Sequence, residues 1–237
     1  MINQVMTAPR TAARVPMTVP TAVPAADSCE SWFNSKGMRV TIGRDEVLFH
    51  EGDEARSFYK IVTGAVRVVK VLADGRRYVV DFFLPGDVVG LDGGGAYEFT
   101  AEAIVESVLM RYQRPRIDTQ FENDPRAGKR LLDVTLQRLA AAQSQMLLLG
   151  RMNAMERVAT FLVNLERRLG AAMGTERTIP LAMTRADIAD HLGLTLETVS
   201  RMLNQLKREG VIGLPDPHRI CVLKPVALER LACAGGH

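Results

Sequence analysis

The sequence predicts an α+β protein. An N-terminal jelly-roll β-barrel is followed by one long helix and then by a smaller C-terminal helical unit. Three observations carry this. Short β-branched runs broken by turn residues fill 38–113. A sustained helical periodicity begins at Asp124-Pro125. Residues 184–209 then read as a short helix, a glycine turn and a second helix, the helix-turn-helix pattern.

The elements follow in order. Residues 1–27 are rich in Ala, Thr, Val and Pro. Arg10 and Arg14 precede a small-residue stretch, as in a secretory signal. Pro9, Pro16, Pro20 and Pro24 interrupt it, which favours a disordered tail. In the barrel region, Val66 to Val71, Tyr78 to Phe83 and Ile104 to Met110 read as strands. Thr63-Gly64, Asp74-Gly75 and Pro85-Gly86-Asp87 mark turns, and Asp74-Gly75 between two β runs signals a hairpin.

Pro125 suits the first position of a helix, and the pattern runs to Gly150, a length of about 39 Å. Leu132, Leu136, Leu139, Gln143, Met146 and Gly150 alternate four and three apart. Such a stripe packs either on its own barrel or on a partner helix. Its heptad length favours a two-stranded coiled coil, with Gln143 setting the register. A second helix is expected over 153–168, ending before Gly170, with Val158, Phe161, Leu162 and Leu165 on its apolar face. Residues 171–174 read as a loop.

Composition narrows the function classes. Apolar residues make up 47% and charged residues 24%, as in globular proteins, and charges interrupt every apolar stretch before it could span a membrane. Cys29, Cys221 and Cys233 are too few and scattered for a disulfide framework, which points to a reducing compartment. The net charge is +3, and residues 151–237 hold all of it, with 12 Lys and Arg against 9 Asp and Glu. That excess hints at a polyanionic partner for the C-terminal third.

Within 184–209, Thr184 and Asp187 form a near capping box, and Ile188, Ala189 and Leu192 are apolar. Gly193 ends the first helix. Thr195 and Thr198 open a second helix with Val199, Leu203 and Leu206 inward. An ordinary helical hairpin shares that spacing, so the outward face decides. Leu196, Glu197, Ser200, Arg201 and Asn204 face out near its N-terminal end. A recognition helix presents base-reading side chains there, and Arg and Glu match guanine and cytosine edges.

The run from Thr184 to Arg201 resembles the winged-helix segment of the CRP/FNR transcription-factor superfamily, closest to its FNR and FixK branches. Residues 149–159 resemble the hinge after that family's dimerisation helix, and 85–92 its barrel loop. The similarity covers about residues 30–230. It implies a tail over 1–27, a cyclic-nucleotide-binding-like barrel over 28–122, a dimerisation helix over 123–151 and a winged helix-turn-helix DNA-binding domain over 152–237. It also implies residue roles. Glu197 and Arg201 would read the central G·C pair of each half-site, with Ser200 on the thymine side. Leu196 stands where the cyclic-AMP branch has a second arginine, so the expected half-site is TTGAT rather than TGTGA. Arg185, Thr195, Thr198 and Asn204 would hold phosphates, as would His218 and Arg219 at the tip of a wing formed by 211–223.

The resemblance implies a cytoplasmic homodimer acting on double-stranded DNA and touching RNA polymerase through the Asp74 hairpin tip and the Asp92 loop. Targets would be genes of microaerobic or anaerobic respiration or of nitrogen fixation. Where cyclic-nucleotide receptors hold the phosphate and ribose, this chain has Gly90-Leu91 and Phe99-Thr100, so the nucleotide pocket is expected to be lost. An iron–sulfur cluster lacks its cysteines. His50 alone in the barrel argues weakly for haem, and His50 with Glu51 does not make a metal site. No cofactor, metal or catalytic constellation is expected. What remains is the FixK pattern, in which regulation acts mainly through synthesis of the protein; the alternative is an effector-dependent sensor (small molecule, cyclic nucleotide or haem) of the same fold. Cys221, in the wing, is a candidate redox position, against the plainer reading of a small buried hydrophobe on a strand.

Overall fold

The computed structural model describes residues 37–91, 95–114, 125–170 and 178–233. The tail over 1–27, the loop at 171–174, Cys29 and Asp92 lie outside the described residues.

The barrel consists of two antiparallel sheets. One has the order β1(Met38–Ile42), β8(Ser107–Gln113), β3(Ser57–Thr63), β6(Val88–Val89). The other has the order β2(Val47–Phe49), β7(Thr100–Ala103), β4(Val66–Val71), β5(Arg77–Phe83). Alternation in β4 sends Val66 and Val68 into the barrel core with Phe49, Ile61 and Leu109, and turns Arg67 to the outer face. A bulge between Val68 and Val69 then shifts the register by one residue. Val69, outward by the same alternation, thereby faces Val79, and both join a second core outside the barrel.

The Asp74-Gly75 hairpin forms as expected, with Gly75 at φ +82° and Arg76 N donating to Asp74 Oδ1 at 3.0 Å. The expected strand over Ile104–Met110 is corrected. Residues 104–106 turn between β7 and β8, because the Gly64-Ala65 corner docks there: Ile104 N donates to Ala65 O at 2.8 Å, and Ala65 N donates to Ser107 Oγ at 3.1 Å. A Cβ on Gly64 would meet Ser107 Cα at 2.6 Å, so that corner requires glycine.

The long helix α1(Pro125–Arg151) matches its expected span within one residue. The next, α2(Ala154–Gly170), runs past the expected stop and includes Gly170, since buried Leu169 extends its apolar face. The C-terminal unit comprises β9(Thr178–Pro180), α3(Arg185–Leu192), α4(Leu196–Arg208), β10(Ile212–Asp216), β11(Arg219–Val222) and α5(Pro225–Cys233). The strands form one sheet in the order β10-β11-β9. Helix α5 has no counterpart in the sequence expectations; it starts at Pro225, where proline suits a first turn.

The second core does not stop at a domain edge. It runs from Val79, Phe82 and Leu84 of the barrel through Phe161 and Leu162 of α2 to Ile188, Leu192, Val199 and Leu206 of α3 and α4. Barrel and helix-turn-helix unit thus share buried apolar surface.

Candidate nucleic-acid interface

The turn between α3 and α4 is set by local chemistry. Thr184 Oγ1 accepts from Asp187 N at 3.1 Å, and Thr184 N donates to Asp187 Oδ2 at 3.0 Å, so the near capping box is complete. Gly193 closes α3 at φ +60°, ψ +42°, the left-handed cap that glycine adopts without strain. Arg157 of α2 lies beside it. Its guanidinium donates to the carbonyls of Met152, Leu149 and Leu192, each at 2.9 Å, tying the C-terminal ends of α1 and α3 together. Thr195 then caps α4 by accepting from Thr198 N at 3.2 Å.

Helix α4 has two unlike faces. Val199, Leu203 and Leu206 are buried, while Glu197, Arg201 and Asn204 are exposed and Ser200 is half-buried. Arg185 of α3 donates to Ser200 Oγ at 3.4 Å, so the two helices meet at that face. Leu196 is exposed beside them. The Glu197 carboxyl is held below the usual carboxylate range by its own backbone N–H and by the Thr195 hydroxyl. It is therefore an anionic acceptor at neutral pH.

The wing is the β10–β11 hairpin. His218 and Arg219 are exposed at its tip, where Arg219 Nε donates to Asp216 Oδ2 at 2.6 Å. Cys221 is half-buried on β11, with its Sγ 3.4 Å from Thr178 Oγ1. On α1, Leu132, Leu136, Leu139 and Met146 are all more than half exposed, and Gln143 is exposed with them. Leu147, 65% exposed, belongs to the same apolar strip. Asp74 is exposed at the hairpin tip, paired with Arg76 Nε at 2.7 Å.

Two of the residues at the expected nucleotide position, Leu91 and Phe99, are packed side chains. Leu91 packs against Phe58, Val88 and Tyr112, and Phe99 packs against the barrel core. The Phe49 and Tyr97 rings stack at 3.7 Å, and a Cβ on Gly90 would press on both. Tyr97 donates to Ser57 O at 2.7 Å, and burial pushes its phenol up to about 12. Gly90, Leu91, Phe99 and Thr100 themselves carry neither a carboxylate nor a guanidinium; Arg114 donates to Gly90 O and Thr100 Oγ1 accepts from Glu51 N at 3.0 Å. Among the described residues no group of three His, Cys, Asp or Glu side chains is placed to hold a metal.

One feature of the site was not legible in the sequence. The first helix of the helix-turn-helix motif is clasped by the barrel. Arg67 of β4 reaches Glu102 Oε2 at 2.8 Å, Asp45 Oδ1 at 3.2 Å and Asp187 Oδ1 at 3.4 Å. Arg77 of β5 donates to Asp187 and reaches Asp190 Oδ2 at 3.3 Å. Burial alone would raise the Asp187 carboxyl; the Thr184 hydrogen bonds and the two guanidiniums more than offset this and leave it below the usual range. At the other end of α3, His191 Nδ1 lies 3.1 Å from Val79 O, its ring against Phe82 and Phe161. Gln145 of α1 donates to His191 O at 3.0 Å. The only signal in the sequence was a cation, Arg67, set within a run of valines.

A barrel, a long helix with an unpaired apolar stripe and a helix-turn-helix followed by a β-wing define the class of winged-helix transcription regulators. The comparisons agree. The Crp-like helix-turn-helix domain matches residues 156–231, and the cyclic nucleotide-binding domain matches 39–124. The chain is 40% identical over 202 residues to the nitrogen fixation regulation protein FixK of Bradyrhizobium diazoefficiens, covering 85% of each. It is 41% identical over 202 residues to the transcriptional activatory protein AadR of Rhodopseudomonas palustris, covering 85% of this chain and 84% of that one. The solved structure of FixK2 from Bradyrhizobium japonicum superposes with a TM-score of 0.77 at 40% identity, over 82% of this chain and 96% of that one. The chain belongs to the CRP/FNR family, in its FixK branch, and is a DNA-binding transcription regulator.

Proposed function

We propose that the protein is a cytoplasmic, homodimeric activator that binds a TTGAT-N4-ATCAA-like palindrome without a small-molecule effector. The observation that carries this is the face of exposed Glu197 and Arg201 with half-buried Ser200, on a helix whose opposite face is buried. Glu197 and Arg201 read the central G·C pair, and Ser200 the thymine side. Arg185, Thr195, Thr198, Asn204, His218 and Arg219 serve the phosphates. The stripe Leu132, Leu136, Leu139, Gln143 and Met146 pairs with its copy in the partner, which places two recognition helices about 34 Å apart. In this division of labour the barrel, α1 and the winged unit are sensor-like, dimerisation and DNA-binding domains. The relatives named for nitrogen fixation favour targets in nitrogen fixation and in microaerobic or anaerobic respiration.

Competition binding tests the reading directly. Purified protein is titrated at fixed salt with labelled duplexes carrying TTGAT or TGTGA half-sites, with no effector added. Tight binding to the first alone is expected, and preference for TGTGA would overturn the assignment. An effector-dependent mode predicts no binding until a ligand is supplied, and that ligand would raise the melting temperature. Asp74 serves polymerase contact: Asp74→Ala should lower transcription in a purified system while DNA affinity holds. Cys221 lies in the wing, where oxidation would add polarity and bulk near DNA. Unchanged peroxide sensitivity in Cys221→Ser would remove it from the scheme.

A further inference from the structure

We infer that Arg67 and Arg77 of the barrel are positioning residues for DNA recognition: through Asp187 and Asp190 they fix the pose of the helix-turn-helix unit and so set the half-site spacing that the protein accepts. The inference rests on the palindrome reading above.

The geometry is specific. Asp187 is 3% exposed and Arg67 12% exposed, so this end of the contact is largely removed from water. One carboxylate receives two guanidiniums from adjacent strands while also completing the α3 capping box. Arg67 is held from behind by Glu102 and Asp45, so its fork is oriented before it meets α3. A hinge-like swing of the winged unit would part the Asp187 carboxylate from both guanidiniums. The opposite side of the contact is closed by a second set of pairs. Arg138 of α1 reaches Asp81 Oδ2 at 2.8 Å and Asp87 Oδ1 at 2.9 Å, and Arg168 of α2 donates to Phe82 O at 2.7 Å. Between the two sets lies the apolar seam of Phe82, Phe161 and His191.

The clasp leaves the recognition face free. Glu197, Arg201 and Asn204 are exposed with the contact closed. The closed contact therefore does not cover the side chains proposed to read bases. Two such rigid protomers joined along α1 have one separation between recognition helices, and one spacer length suits it.

The test measures affinity for palindromes with spacers of three, four, five and six bases, using wild type, Arg67→Gln/Arg77→Gln and Asp190→Asn. Wild type should prefer the four-base spacer by about tenfold or more. The double variant should lose about tenfold on that duplex and discriminate spacers by less than about threefold. Its penalty for a wrong base inside the half-site should not change, because the reading residues are untouched. Asp190→Asn, which breaks only the outer pair, should move the same way by a smaller factor and serves if the double variant does not fold. Full affinity and full spacer preference in the variants would overturn the inference.

Calorimetry without DNA reads the same contact independently of the palindrome. Wild type should unfold in one transition and the double variant in two. A single transition in both removes the clasp whatever the DNA results. Failure of wild type to prefer any palindrome, with the split transition present, indicts the function reading rather than the clasp.

Discussion

Asp187 uses one carboxylate for two tasks. It closes the capping box of α3 with Thr184 and accepts Arg67 and Arg77 from the barrel. Thr184→Ala removes the cap hydroxyl, which also donates to Asp187 Oδ2 at 2.7 Å, and should cost about 1 kcal/mol, a melting-temperature drop of roughly 2–4 °C for a chain of this size. Thermal denaturation of the variant checks this; a loss several times larger would show that the threonine also supports the clasp. The cap was legible in the sequence because Thr184 and Asp187 are three residues apart and the motif is local. Arg67 and Arg77 were not, because they meet Asp187 across 120 and 110 residues of chain. Local periodicity carries no information on such pairings. Glu197 and Arg201 were legible for another reason: an inward stripe of Val199, Leu203 and Leu206 fixes which side chains remain outside.

Helix α3 is the element on which the connections converge. Its N-terminal end is held by barrel cations, and its C-terminal end by Arg157, Gln145 and the seat of His191. Burial pushes the His191 imidazole below its ordinary value and Arg168 adds to this, while Asp81 and the Val79 and Val80 backbone oppose it. The unfolded chain takes up a proton near pH 6.5, and the folded chain resists it to lower pH. This contribution to stability is present above pH 6.5 and is lost as pH falls from there towards the folded value. Urea denaturation between about pH 5 and 8 should show it, and His191→Gln should flatten that part of the slope. An equal slope in the variant would place the pH dependence elsewhere. The runs at Val66–Val71 and Tyr78–Phe83 were read correctly as strands from their β-branched residues, but the bulge at Val68/Val69 was not visible. That bulge brings Val79 rather than Val80 opposite Val69 on the barrel's outer face, and so helps make that face a seat for α3.

At the scale of the whole molecule, the fold class was legible because each part carries a different signal: β-branched runs between turn residues in the barrel, a spacing near 3.5 in α1, and a broken helix in the recognition unit. How the parts lean on one another was not, since one continuous core joins them through side chains far apart in sequence. The apolar stripe on α1 is the surface that this core leaves uncovered. Leu136→Glu/Leu139→Glu would place charge in the proposed dimer seam. Sedimentation should show a monomer, and affinity for the palindrome should fall by at least about 100-fold, because two linked half-sites become one. A dimer of unchanged stability would mean that the copies pair through another surface.

In the proposed function Arg201, with Glu197, reads the G·C pair of each half-site from the exposed face of α4. Affinities are measured for wild type and Arg201→Ala on the parent duplex and on one with that pair changed to A·T in both half-sites. Wild type should lose about tenfold or more on the changed duplex. Arg201→Ala should bind the parent more weakly and be indifferent to the change. If Arg201→Ala still distinguishes the two duplexes as wild type does, another residue reads that pair and the account of the recognition helix is wrong.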